Sequence, residues 1–459
     1  MKKFILVFLG IIIVVAIGLG VWMLINKSPL TNNNGEPFSG ESGFGSFFDT
    51  KNGRNNNFTG GPFDDLEESD FVATTKLPIL RQLSAEPVAG YVFFKKEFEI
   101  LNSNIGEEET VTEETIKEGR FVFRFIERAT GHIFETAEHF LTTTKITNTT
   151  SPKIVSALFS DDGNFVFFEK LNITGEGIDS FIGEVVEQEI PQTNEDEQTS
   201  TINKSYSLEI EPYSILSNLT VPSPNKNSFA YLVSSNESSS IFIDSFENKN
   251  KVEIFNTPIK EWLIDWTTQD TINMTTKPSS ESVGHSYSLN TRTGSLNKLI
   301  GNINGLTTKI SPNEEGLLYS ETSGNSIITR FKSLESGEDR RIPLSVLPEK
   351  CVFSNTQDDV IYCGTQSNSV NTKLPDDWYK GKVSFNDSIW KINTTTGLVE
   401  MFYNFNRNKF GSFDLIDLSL TEGDEFMLFK NKKDLTLWSL NLKELDNRNV
   451  FTTDSPEDF

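Results

Sequence analysis

The residues with the most chemistry in one place are Asp376, Asp377, Trp378, Tyr379 and Lys380. Two carboxylates, two aromatic rings with polar edges and one cation stand side by side. Trp and Tyr offer flat contact area with a hydrogen-bonding edge, and the charges add direction, a set suited to holding a sugar or a peptide. The bland alternative is that Trp378 and Tyr379 plug their loop against the scaffold while the charges stay in water. Catalytic sets are scarcer. The chain has three histidines, His132 on a predicted turn, His139 near a strand end, and His285. H-E-x-x-H, G-x-S-x-G and G-x-x-x-x-G-K-[ST] are all missing. Asp and Glu residues distant in sequence can still converge, so carboxylate-pair hydrolysis stays open as an alternative. No D-x-[DN]-x-[DN]-G loop marks a calcium site. No metal site and no cofactor is expected, and the chain is read as not an enzyme.

The two cysteines, Cys351 and Cys363, flank a hairpin whose turn falls near Thr356-Gln357-Asp358. A symmetric register puts them opposite each other on neighbouring strands, where a disulfide can form. Two buried thiols are the other reading. With no further Cys or His close by, a metal site is the weakest of the three.

These residues need elements to hold them, and the sequence supplies short alternating strands. SIWKINTTTGLVEMF, at 388–402, reads as strand, tight turn and strand. FRFIERATGHIFETA, SYSLNTRTGSLNKLI and RFKSLESGEDRRIPL repeat the unit around Gly131, Gly294 and Gly337. A hairpin recurring at roughly 40-residue spacing is the mark of a β-propeller, whose blades are four-stranded sheets around an axis. The expected fold is all-β, with seven blades favoured and six plus an irregular one as the rival count. Strands within a blade are labelled a to d from the axis outward. LRQLS is assigned to strand a of the first blade, with YVFFKK, RFVFRFIER and HIFETA following. An acidic insertion, EIPQTNEDEQTSTINK, is read as splitting the outer strands of the second blade. The outermost strand of the last blade is RNVFTT or a segment near FVATT that closes the ring. The long excursions, NSNIGEEETVTEETIKEG, KPSSESVGH and the Asp376–Lys380 loop, are placed at b–c connections and so on one rim, where loops on a rigid scaffold carry function.

Turns between the first two strands of a blade carry SDDG, SPNKN, SPNEEG and TEGD, whose Asp, Asn, Pro and Gly supply the required conformations. The S-P-[DN]-x-[GN] turn before an apolar strand, followed by a strand ending in N/D-x-x-T-G, resembles the TolB-type and WD-repeat-like propeller blades of bacterial envelope proteins. That resemblance covers roughly residues 75–445. PDDWYKGKVSFNDSIWKINTTTG and RATGHIFET further resemble uncharacterised single-pass envelope proteins of bacteria with small genomes. That family implies no activity.

Residues 4–25, FILVFLGIIIVVAIGLGVWMLI, carry no charge and as a helix reach about 33 Å at ~1.5 Å per residue, enough to cross a bilayer. Lys2 and Lys3 precede them, which keeps the N-terminus cytoplasmic. Residues 28–70, rich in Asn, Gly, Ser and acids, are read as a flexible linker, and 72–455 as the propeller domain. The net charge of −24 argues against nucleic acid, which rewards Lys and Arg stripes. The 37 Phe residues fall mostly in alternating runs that suit a sheet core, and Trp262 and Trp266 are expected in that core. The expected whole is a single-pass cell-membrane protein. Its extracytoplasmic propeller would act as a non-catalytic binding or scaffold module for an envelope protein or glycan. The alternative is a carboxylate-dependent hydrolase or lyase on an extracellular polymer.

Overall fold

The computed structural model describes residues 77–105, 111–193, 200–213, 219–366, 371–405 and 410–446. The expected membrane helix, the linker and the RNVFTT and FVATT segments lie outside them. Among the described residues no helix is long and apolar enough to cross a membrane.

Twenty-eight strands form seven four-stranded antiparallel sheets, so the seven-blade count holds. The first blade is β2 (Val88–Ile105), β3 (Val111–Glu127), β4 (Ile133–Ala137) and β5 (Thr144–Lys145). The next five blades take their four strands in chain order, from β6 (Ile154–Phe159) to β25 (Val399–Tyr403). The last blade joins β26 (Leu415–Leu420), β27 (Phe426–Asn431) and β28 (Leu437–Asn441) to β1 (Leu80–Gln82).

Hydropathy follows position within the blade. Strand b lies between two sheets' worth of side chains and is buried on both faces: VIYCGT at Val360–Thr365 is buried throughout, as are most residues of TINMTT at Thr271–Thr276. Strand d faces water, and LNKLIGNIN and all of VEIFNT but its last residue are correspondingly exposed or half-buried. Trp262 and Trp266 are buried in strand a of the fourth blade. Phe405, Phe413 and Phe429 pack ring on ring between the sixth and seventh blades.

The a–b turns share one hydrogen-bond design. Ser160 Oγ donates to Asp162 at 2.6 Å, Ser223 Oγ to Asn225 at 2.7 Å, and Ser311 Oγ to Asn313 at 2.6 Å. The same hydroxyls accept from Phe165 N, Ser228 N and Gly316 N, and Thr421 does so for Phe426 N. A short side chain thus replaces the missing main-chain partner, and three of these turns share the spacing Ser-x-Asp/Asn.

The first blade corrects the sequence reading. LRQ is not its inner strand. Leu80, Arg81 and Gln82 pair with Leu440, Ser439 and Trp438, so this segment is the outermost strand of the last blade and closes the ring. The misphasing has a local cause. The turn with a glycine at positive φ, donating its N–H four residues back, joins strands c and d at Gly294, Gly337 and Gly397. In the first blade the same turn, at Gly131, joins b to c. Consequently NSNIGEEETVTEETIKEG is no b–c loop. It belongs to an a–b hairpin in which Lys96–Ile105 pairs with Val111–Arg120, an arm about 30 Å long at ~3.3 Å per residue. The acidic insertion of the second blade likewise does not split it: β8 (Ile178–Thr193) and β9 (Ser200–Tyr213) pair from Ser180 to Thr193 as a second arm. An a–b and a c–d connection open on the same side of a propeller. Both arms therefore project from one face, called the arm face, and the Asp376–Lys380 loop stands on the opposite one.

Cys351 and Cys363 pair across strands a and b of the sixth blade and are bridged, with Cα atoms 4.1 Å apart. Closing this short loop limits the unfolded chain. Replacing both cysteines by alanine is expected to lower unfolding free energy by about 2–3 kcal/mol in denaturant titration. An unchanged midpoint in the variant, or in the wild type with reductant present, would show that no bridge constrains the chain.

Candidate functional site

The b–c connection of the sixth blade is a strap across the face opposite the arms. Thr372 N donates to Asn325 O of the fifth blade at 3.3 Å, and Thr322 Oγ1 donates to Leu374 O at 2.7 Å. Further along, Asp376 accepts from Ser280 N of the fourth blade at 2.6 Å, and Lys373 pairs with Glu281. A single helical turn, Asp376–Tyr379, follows. The strap thus bridges neighbouring blades through main-chain and carboxylate contacts.

Each residue singled out from sequence has a definite place. Asp376 and Asp377 are pins. Burial pushes the Asp376 carboxyl up, but bonds from Ser280 and Ser279 outweigh it and hold it below the usual range. Asp377 is also held low, chiefly by the Thr372 hydroxyl. Trp378 is 5% exposed and stacks on Phe385 at 6.1 Å, so its ring is not presented to a ligand. Lys380 is exposed, 3.9 Å from Asp376. Tyr379 is 38% exposed and its hydroxyl donates to Glu349 Oε1.

Trp378 is held by a buried charge cluster that no local sequence signal marks. Lys350 closes the turn Pro348–Lys350 before the sixth blade and is fully buried, as are Asp387 and Asp414. Its ammonium lies 2.8 Å from Asp387, donates to Leu415 O at 2.9 Å, and pairs with Asp414. Asp414 accepts from Trp378 Nε1 at 3.1 Å, Ser384 Oγ at 3.0 Å and Phe385 N at 3.1 Å. Lys432 stands 3.7 Å from the Trp378 ring centre, close enough for a cation–π contact. Burial pushes both carboxyls up. For Asp414 the ammonium and the three donors win, and it stays below the usual range. For Asp387 burial wins, and it lies above. One ammonium thus serves one firm carboxylate and one that holds its proton more readily.

Inside the ring, Tyr379 leads to an axial cavity of about 330 Å³. Its wall includes Asp265, Lys309, Glu349 and Asp417, with Leu263 and Leu418 among the apolar lining. Asp265 and Lys309 pair at 3.5 Å. Asp417 sits at φ +52° on a β-bulge between Ile416 and Ser419, where two residues oppose one on β27. The bulge re-aims the strand, and Lys430 pairs with Asp417 at 2.6 Å. Burial raises Glu349 above the usual carboxylate range, against the bond from Tyr379 and the easing influence of nearby Lys309 and Thr307. Among the described residues no group of three or more His, Cys, Asp or Glu could hold a metal ion. Sequence reasoning missed Asp265, Lys309, Glu349 and Asp417 because each comes from a different blade. The one available signal was their position at the start of inner strands.

No protein-family model matches the sequence, and no curated protein matches it. Solved structures do. An oligogalacturonate lyase from Vibrio parahaemolyticus aligns over 79% of this chain and 93% of its own, with TM-score 0.45 and 8% identity. TolB from Acinetobacter baumannii aligns over 67% of this chain and 78% of its own, with TM-score 0.37 and 11% identity. The Swd1 β-propeller domain from Myceliophteria thermophila aligns over 70% and 93%, with TM-score 0.41 and 9% identity. At these identities the likeness concerns fold alone, the β-propeller that the seven four-stranded sheets already show. The expectation that the chain is not an enzyme is corrected here. The structures it is similar to include lyases and peptidases, so a likeness of fold gives no ground for that expectation.

Lys350→Met removes the ammonium and leaves Asp414 buried without its counter-charge. It is expected to cost about 3–5 kcal/mol and to redshift the emission of Trp378 as the strap loosens. Adding Asp387→Asn and Asp414→Asn to Lys350→Met, a triple variant, should recover part of that loss. Unchanged stability of the single variant would show that the cluster does not hold the strap.

Proposed function

We propose that the protein is a single-pass, membrane-tethered propeller of the cell envelope. Its strap face, centred on the axial cavity, binds an envelope protein or glycan. The carrying observation is the convergence of Asp265, Lys309, Glu349 and Asp417 on one cavity, with the half-exposed Tyr379 reaching its wall. Paired charges beside an apolar lining give a pocket both affinity and direction.

Three features support the tethered reading. Residues 4–25 are long and apolar enough to cross a bilayer behind Lys2 and Lys3. The buried disulfide fits an oxidising compartment. The topology sets the two faces apart: Asn441 N donates to Ile79 O at 2.8 Å, and Leu442 N to Glu425 O of an a–b turn. The described chain therefore enters and leaves on the arm face, opposite the strap.

A second reading is favoured by one observation. Asp265, Glu349 and Asp417 line a single cavity, and Glu349 holds its proton to higher pH than an ordinary carboxyl, as a general acid must. That is the composition of a carboxylate-dependent hydrolase or lyase acting on an extracellular polymer.

In-cell photo-crosslinking separates the faces. A probe at Lys380, on the strap, is expected to give a discrete adduct whose mass identifies the partner. A probe at Thr395, in an exposed c–d turn of the arm face, should give none. Adducts from Thr395 alone would overturn the face assignment. Loss of polymer chain length on incubation with the full protein, abolished by Glu349→Gln, would favour the second reading.

A further inference from the structure

We infer that the axial cavity is built for a long cationic side chain, a lysine or arginine of a polypeptide partner, with its charge received beside Glu349. The inference rests on the reading of this cavity as the binding site and names what enters it. Three observations lead there.

First, the carboxylates are not equivalent. Asp265 has Lys309 and Asp417 has Lys430. Glu349 receives the Tyr379 hydroxyl on Oε1, while Oε2 is buried and makes no hydrogen bond among the described residues. Thr307 and Lys309 lie near enough to ease its charge but do not satisfy that oxygen. An unmet buried carboxylate oxygen costs free energy that an incoming donor recovers, most strongly a charged one. Second, a metal ion is a poor candidate. No group of three or more acidic, histidine or cysteine ligands stands close enough among the described residues. Third, Leu219, Leu263, Pro348 and Leu418 contribute to the walls. A lysine or arginine stem lays its methylenes on apolar surface while its head reaches a polar end. A protonated amino sugar has no such stem. The net charge of −24 draws basic partners and repels anionic polymers.

The test uses the full-length protein in zwitterionic nanodiscs and hexalysine as probe, with Nε-acetylated hexalysine as the uncharged control. Salt is held at about 0.15 M, where the screening length of about 8 Å mutes exposed charges more than enclosed ones. Saturable binding of hexalysine is expected, with the acetylated peptide failing to bind. Glu349→Gln keeps an acceptor for Tyr379 but removes the charge, and should weaken binding by roughly 10-fold or more. Asp265→Asn, in the same cavity, should weaken it as well, and it covers the case in which the first variant does not fold. Glu237→Gln, in an exposed turn of the third blade, should leave affinity unchanged. Equal binding by wild type and both cavity variants, equal loss from Glu237→Gln, or equal binding of the acetylated peptide would each overturn the inference. A crosslinked partner at Lys380 without hexalysine binding would leave the face reading standing and remove only the cationic ligand.

Discussion

An ammonium with no access to water fixes the geometry of the whole strap face. Lys350 sits where the chain enters the sixth blade, Asp387 where the strap returns to it, and Asp414 where the chain enters the seventh. A buried ion is tolerable only when its partners are close and themselves hydrogen-bonded. Here Asp387 accepts from Leu415 N at 2.7 Å, and Asp414 accepts from the strap's own Trp378, Ser384 and Phe385. The requirement to satisfy one charge thus ties two blade entrances and the strap into a single arrangement. Glu349 is the residue next to that lysine, so the same turn that buries Lys350 places Glu349 at the cavity.

The disulfide acts on this arrangement from below. Cys351 follows Lys350 directly, and its bridge to Cys363 locks the short inner strand to its fully buried neighbour. A strand of three residues has few ladder bonds of its own to hold register. The bridge and the buried charge therefore compensate for a weak inner strand at the place where the cavity wall must be firm. On the neighbouring inner strand a different device serves Asp417, a bulge with a residue at positive φ, a conformation that non-glycine residues adopt only when their surroundings enforce it.

Much of the fold was legible because blade burial is written as alternation. Strands such as TINMTT, VIYCGT and EFMLFKN stand out beside polar turns, several of which place a Ser or Thr hydroxyl against the first N–H of the next strand. The first blade was misread for two physical reasons. The segment before it, Leu80–Gln82, which closes the last blade, is too short to show a period, and the Gly131 turn of the first blade is shifted by one connection relative to the others. Because faces alternate with connections, that single shift moved a long hairpin to the wrong side. At the site, Asp376 to Lys380 were found as a cluster, but their roles were not. A solvent-facing Trp and one buried by distant Asp414 and Lys432 look the same in sequence. The cavity set was invisible for the same reason, since ring closure alone brings Asp265, Lys309, Glu349 and Asp417 together.

The account turns on which face is occupied in the cell. Hydrogen exchange of the full chain in native membranes, compared with the purified protein, measures this directly. Slower exchange confined to the strap and the inner strands Trp262–Thr268, Thr307–Ile310 and Leu415–Leu420 is the predicted result. Protection confined to the arms and the a–b turns, with the strap unchanged, would contradict it.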